Sequence, residues 1–115
     1  MADAPRITAD ELKRRMEAGE DFTFIDVRNP QAWAQSDSMI PEAIRLPSLD
    51  NIDEILPRLS KDKPIVTVCR SGARSAQAAQ ILEQRGFSKV ANLSGGMIRW
   101  RSQRLPVDGS GGADI

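Results

Sequence analysis

The sequence contains no histidine. That absence excludes a Ser-His-Asp relay and a Cys-His nucleophile pair, and it leaves a Cys/His zinc site short of ligands. Cysteine occurs once, as Cys69, so an internal disulfide is impossible and a reducing, cytoplasmic setting is expected. A charge excess is also missing. Sixteen basic residues balance sixteen acidic ones, giving no global attraction to nucleic acid or to an anionic membrane surface. No apolar run reaches the ~18 residues needed to span a bilayer, and "MADAPRITADEL" lacks the basic start and apolar stretch of a secretory signal. No GxxxxGK[ST] occurs, which removes a nucleoside-triphosphate cradle. Neither a metal nor a cofactor is expected.

What remains is a chain of 115 residues, enough for one domain with a real core. The expected domain covers residues 1–107, with 108–115 ("DGSGGADI" within it) as a flexible Gly-rich tail. Helices and strands alternate along it. "ITADELKRRMEAGE" reads as a helix opened by Thr8, with Glu11 as its capping-box partner, Leu12 and Met16 on one face and Gly19 at its end. "DFTFIDV" (21–27) reads as a strand, and "QAWAQSDSM" as a short helix with Trp33 turned inward, followed by a polar loop. "AIRL" (43–46) is a second strand, and "LDNIDEILPRL" a helix cut off at Pro57. "PIVTV" (64–68) is apolar on both faces, as a central strand between helical layers should be. "RSAQAAQILEQRG" is a helix with Ala78 and Leu82 on one face, ending on Gly86. "KVANL" (89–93) is the last strand. "GGMIRWRSQ" is the last helix, burying Met97 or Ile98 with Trp100. This alternation predicts an α/β fold with a mainly parallel central sheet, whose ligands bind beyond the carboxyl ends of the strands.

Cys69 falls at that edge, where the strand "PIVTV" turns into a helix within a few residues. Backbone N–H groups of residues 69–74 that lack helical partners can converge there on one anion, helped by the positive end of the helix. Gly72 permits the required curl. A lone cysteine is more often a small buried hydrophobe, but burial in an apolar core does not suit one followed at once by Arg, Ser and Gly. Arg70 and Arg74 flank the thiol, and together with the N–H groups they are expected to make it ionise readily. Asp26 and Arg28, at the end of another strand, suit a loop-organising role. Trp33 and Trp100 read as core, and Ser94–Gly96 as a turn feeding the last helix.

Assembled in order, "FIDVRNPQAW", "IPEAIRLP", "PIVTVCRSGARSAQAAQILEQRGF" and "VANLSGGMIRW...LPV" make the chain resemble a single-domain rhodanese, a sulfurtransferase. The resemblance runs over about residues 6 to 107 and implies a three-layer α/β/α domain. It implies that Cys69 is the catalytic nucleophile and that Arg70, Ser71, Gly72, Ala73 and Arg74 form the active loop that binds substrate. Asp26 and Arg28 then support the site. It further implies a small anionic sulfur donor such as thiosulfate and a persulfide on Cys69. The acceptor is an external thiol or cyanide, because no second cysteine exists to take the sulfur, and a sulfur-relay protein is an implied partner. The chain departs from the family's frequent "GHIPGA" with "SDSMIPEA", which has no histidine and has Glu42 in place of glycine. Two alternatives accompany this reading. One is a non-catalytic rhodanese-like binding module. The other is a cysteine-dependent phosphatase or arsenate reductase, whose loop has Cys-x5-Arg, whereas Arg74 closes Cys-x4-Arg here.

Overall fold

The computed structural model describes residues 5–35 and 39–107. The tail assigned to 108–115, and residues 36–38 of the polar loop, lie outside them. Five parallel strands form the sheet: β1 (Arg6–Ile7), β2 (Thr23–Asp26), β3 (Ile44–Arg45), β4 (Ile65–Val68) and β5 (Val90–Leu93), in the order β1-β5-β4-β2-β3. The helices are α1 (Ala9–Glu17), α2 (Pro30–Gln35), α3 (Ile52–Ile55), α4 (Ala73–Gln84) and α5 (Gly96–Ser102), with 3-10 turns on both sides of α3.

Alternation along the strands explains the three layers, because successive side chains leave a strand on opposite faces. Ile65 of β4 and Ile25 of β2 join one apolar cluster, with Ile52, Ile55, Ala78, Ala79 and Leu82 of α3 and α4. Their neighbours Val66, Val68 and Phe24 join the other, with Leu12, Met97 and Trp100 of α1 and α5. β4 is buried at every position, as expected of the middle strand.

The local signals in the sequence acted where they were strongest. Thr8 caps α1, its Oγ1 accepting the Glu11 N–H at 3.1 Å, and Gly19 follows that helix with a positive φ. In α5 it is Met97 that is buried with Trp100, while Ile98 is 57 % exposed. Other expectations need correction. Trp33 is not core. It is half-buried, with the Arg45 guanidinium 5.0 Å over its ring. The segment before Pro57 is not one helix: α3 stops at Ile55, and Pro57 sits inside a 3-10 turn, where its missing N–H costs no helical bond. The strand β1 was not expected at all; two residues carry no periodicity, and its place is set by pairing with β5.

Glu42 also finds its place here. It adopts φ +60°, a conformation that disfavours side chains with a Cβ, which accounts physically for glycine in the related pattern. It borders a cavity shared with Asp21 and Lys63, residues that precede β2 and β4. That is the edge of the sheet opposite to Cys69.

Candidate active site

Cys69 directly follows β4, and α4 begins four residues later at Ala73. Gly72, the N-cap of α4, has φ +115°, so the chain can reverse over the sulfur at small conformational cost. The reversal delivers the Gly72 N–H to Cys69 Sγ at 3.0 Å. The Ser75 hydroxyl lies 3.4 Å from the same sulfur. Burial pushes the thiol pKa up. The Ser75 hydroxyl opposes this, as do the main-chain N–H groups of Ser75, Gly72 and Ser71, and the net direction is down. Those N–H groups belong to the loop and the first turn of α4, where no helical carbonyl claims them. Contrary to the expectation from its polar followers, Cys69 is buried, at 4 % exposed, and joins the apolar cluster of Ile65 and Ala78; its thiol is free.

The loop is held from behind by α5. Met97 N–H donates to the Cys69 carbonyl at 2.8 Å and Ile98 N–H to the Arg70 carbonyl at 3.3 Å. Both bonds need the start of α5 to lie against the loop backbone, and Gly96 makes that possible. A Cβ there would stand 2.2 Å from Cys69 O and 2.6 Å from Arg70 O.

The two loop arginines part ways. Arg70 is exposed and borders a cavity of about 290 Å³, together with Arg28, Arg101, Met97 and Ile98. Arg74 turns elsewhere: its Nε donates to the Val27 carbonyl at 2.6 Å and its Nη2 to the Pro47 carbonyl at 2.8 Å. Arg74, expected beside the thiol, thus has its hydrogen-bonding nitrogens directed at main-chain carbonyls. Its guanidinium ties the chain ends after β2 and β3 to the first turn of α4. Ser71 in the loop and Ala73 at the start of α4 are both exposed, on either side of Gly72.

Asp26 and Arg28 pair with each other. Asp26 Oδ2 accepts from Arg28 Nη2 at 2.7 Å, while Oδ1 accepts from the Arg28 main-chain N–H and Nε, both at 3.0 Å. Each side chain is 3 % exposed. A buried pair so fully bonded fixes the end of β2, and Arg28 borders the same cavity as Arg70.

Three contributors escaped the sequence reading: Ser75, Asn92 and Gly96. A signal existed for the first two. Ser75 shares the buried face of α4 with Ala78, Ala79 and Leu82, so a hydroxyl there has to meet a partner. Asn92 breaks the apolar run of β5 on the face of Val90, and it is 5 % exposed. Gly96 reads as turn chemistry in the sequence; its contact with a loop far away along the chain has no local signature.

Among the described residues no group of acidic, cysteine or histidine side chains is arranged to hold a metal ion, and no helix is long and apolar enough to cross a membrane.

The chain is similar to known proteins over most of its length. A sulfurtransferase of Allochromatium vinosum is 41 % identical over 101 residues, covering 88 % of this chain and 92 % of the relative. The thiosulfate sulfurtransferase GlpE of Pseudomonas syringae is 33 % identical, covering 89 % and 92 %. The solution structure of the rhodanese-like domain from the Alr3790 protein of Anabaena superposes with a TM-score of 0.79 at 30 % identity, covering 96 % of this chain and 83 % of that one. The sequence profile of the rhodanese-like domain matches residues 8–103, and the chain belongs to that family.

Proposed function

We propose that this chain is a sulfurtransferase that carries a sulfane sulfur as a persulfide on Cys69. The sulfur passes from a small anionic donor such as thiosulfate to an external thiophile. The observation that carries the reading is the placement of Cys69 Sγ, which takes the Gly72 N–H at 3.0 Å and the Ser75 hydroxyl at 3.4 Å at the start of α4. Hydrogen bonds aimed at one sulfur favour its anion, which is the form that attacks the donor and the form released again when an acceptor takes the outer sulfur. Relatives named as sulfurtransferases support the same chemistry.

In the first half-reaction the Cys69 thiolate attacks the outer sulfur of thiosulfate. A new S–S bond forms, the S–S bond of the donor breaks, and sulfite leaves with the bonding pair. Arg70, Arg28 and Arg101 border the cavity beside the loop and suit the negative charge of the incoming donor and the departing sulfite. In the second half-reaction cyanide or a thiolate attacks the terminal sulfur and restores the Cys69 thiolate. No proton relay through histidine is required. The chain offers no second cysteine, so the acceptor is a separate molecule: cyanide, a small thiol, or the thiol of a sulfur-relay protein.

A phosphoryl-transfer reading finds no comparable support. The arginine that would complete an oxyanion cradle, Arg74, spends its guanidinium on the carbonyls of Val27 and Pro47.

Intact-protein mass spectrometry tests the proposal. Thiosulfate alone should add one sulfur atom and release one equivalent of sulfite, and cyanide should then restore the original mass as thiocyanate forms. An unchanged mass with several sulfane donors, or turnover of a phosphatase substrate without an adduct, would overturn it.

A further inference from the structure

Ser75 Oγ lies at the centre of a small buried polar group. It is within reach of Cys69 Sγ at 3.4 Å and of the Gly72 carbonyl at 3.2 Å, and it is in close contact with the side-chain amide of Asn92, whose Oδ1 the structure places toward it. Ser75 is fully buried and Asn92 nearly so. A serine hydroxyl has a single proton, so these three neighbours cannot all receive it.

The amide of Asn92 can face Ser75 with either end, since a half-turn exchanges oxygen and nitrogen without changing its shape. With the oxygen inward, Asn92 claims the proton, and Ser75 turns a lone pair toward an anionic sulfur. With the nitrogen inward, Ser75 accepts from Asn92 and keeps its own proton to donate. Among the described residues the other end of this amide has no hydrogen-bond partner, so the turn forfeits nothing. Of the two acceptors then left, the Gly72 carbonyl already takes the Ala76 N–H at 3.2 Å, and an anionic sulfur attracts the proton more strongly than a neutral carbonyl does.

We infer that Asn92 presents its side-chain N–H to Ser75 Oγ and thereby commits the Ser75 hydroxyl to the thiolate sulfur of Cys69. Asn92 is a positioning residue acting through Ser75. Its own position is fixed by the sheet. Its main-chain N–H donates to the Pro5 carbonyl at 2.8 Å, and it sits in register with Arg6 on one side and Thr67 on the other. The short strand β1 thus has a part in the site: it holds β5 in register and Asn92 under Ser75.

The inference rests on Cys69 being the nucleophile, but its test does not require sulfur transfer. The rate of Cys69 alkylation by iodoacetamide at neutral pH reports thiolate reactivity directly, and the ultraviolet absorbance of the thiolate reports its population. Ser75→Ala should slow alkylation roughly 10-fold or more, as expected for loss of a hydrogen bond to a charged group. Asn92→Ala should slow it comparably, and adding Asn92→Ala to Ser75→Ala should cause no further loss, because the first change has already removed the path. Asn92→Asp keeps the shape but, as the carboxylate, can only accept and adds a negative charge beside the sulfur, so at a pH where it is ionised it should be slower than Asn92→Ala. Wild-type reactivity in Asn92→Asp would overturn the inference, as would additive losses in the double variant. If Asn92→Ala fails to fold, the Asn92→Asp arm decides alone. A wild-type protein that alkylates as expected yet forms no persulfide would sink the sulfurtransferase reading and leave this hydrogen-bond order standing.

Discussion

Gly96 lies against the carbonyl of Cys69 so closely that a methyl group at its Cα would come within 2.2 Å of that oxygen. The neighbour is backbone, which cannot swing aside as a side-chain tip could, and Gly96 also holds φ +55°. Gly96→Ala should therefore push the active loop off α5 and break the bonds from Met97 and Ile98 to it. The expected cost is about 1–3 kcal/mol in stability with a larger, separate loss of persulfide formation. Gly19→Ala is the control, because a Cβ there meets nothing within 4 Å despite φ +92°. It should lower the melting temperature modestly and leave sulfite release unchanged. Thermal denaturation and the donor half-reaction, measured on both variants, separate the two effects.

Arg74→Ala should act on the fold more than on the thiol. Two carbonyls, of Val27 and Pro47, lose a charged donor, and bonds of that kind contribute roughly 1.5–3 kcal/mol when sheltered. Partial exposure of the guanidinium argues for the lower end. Arg74→Lys should recover little, since one ammonium cannot match a planar fork that reaches two carbonyls. Equal falls in melting temperature for both variants, with Cys69 alkylation close to wild type, are the expected result. A selective rise in KM for thiosulfate would show that the guanidinium reaches the donor after all.

Arg70 should behave in the opposite way. It borders the cavity beside the loop and is exposed, so Arg70→Ala should leave stability nearly unchanged. A charge-assisted contact to the donor is worth roughly 1.5–3 kcal/mol, or about 10- to 150-fold in kcat/KM, expressed mainly in KM. The wild-type rate should also fall as salt is added, and the variant should lose part of that dependence.

These contrasts mark what the sequence disclosed and what it withheld. The alternation of "DFTFIDV", "PIVTV" and "KVANL" with helical segments disclosed the parallel sheet, because strand period and helix period are written locally. The position of Cys69 between a buried strand and a helix start was legible for the same reason, and with it the candidate nucleophile. The direction of Arg74 was hidden: adjacency along the chain placed its charge near the thiol, while its partners Val27 and Pro47 come from two other strand ends. Gly96, Asn92 and β1 were hidden likewise, since each matters through a contact made only when distant segments meet. Trp33 was misread because a large aromatic is core by default, and here a cation over its ring at a partly open site suffices.

Glu42 offers a test that leaves the chemistry alone. Its φ of +60° costs a residue with a Cβ about 1 kcal/mol or somewhat more, a cost partly offset by the extra freedom glycine has when unfolded. Glu42→Gly should raise the melting temperature by a few degrees. Since Glu42 borders the cavity with Asp21 and Lys63 at the far edge of the sheet, the donor and acceptor half-reactions should be unchanged. A drop in stability would mean that its side chain contributes more than its backbone costs.

The thiol of Cys69 makes the stability of the protein depend on pH in a definite direction. Burial raises its pKa, but the hydroxyl of Ser75 and the N–H groups of Ser75, Gly72 and Ser71 bring it below the ordinary thiol value. In the unfolded chain those bonds are gone and the thiol titrates at that ordinary value. Between the two, the unfolded form binds more protons than the folded form, so stability rises with pH. Above the unfolded value the contribution is fully present; as pH falls through the folded value it is lost. Cys69→Ala removes the titrating group, and the stability difference between wild type and this variant isolates it from every carboxylate and amine in the chain. That difference should grow in favour of wild type as pH rises from mildly acidic conditions, then level off above the ordinary thiol range. Denaturant unfolding of both proteins across that range measures it. Persulfide formation should follow the folded value instead, so the midpoint of the donor half-reaction's pH profile should lie below that of an ordinary thiol. A stability difference that falls with pH would mean that burial outweighs the hydrogen bonds and that the loop suppresses the thiolate, which would remove the electrostatic basis for catalysis at Cys69.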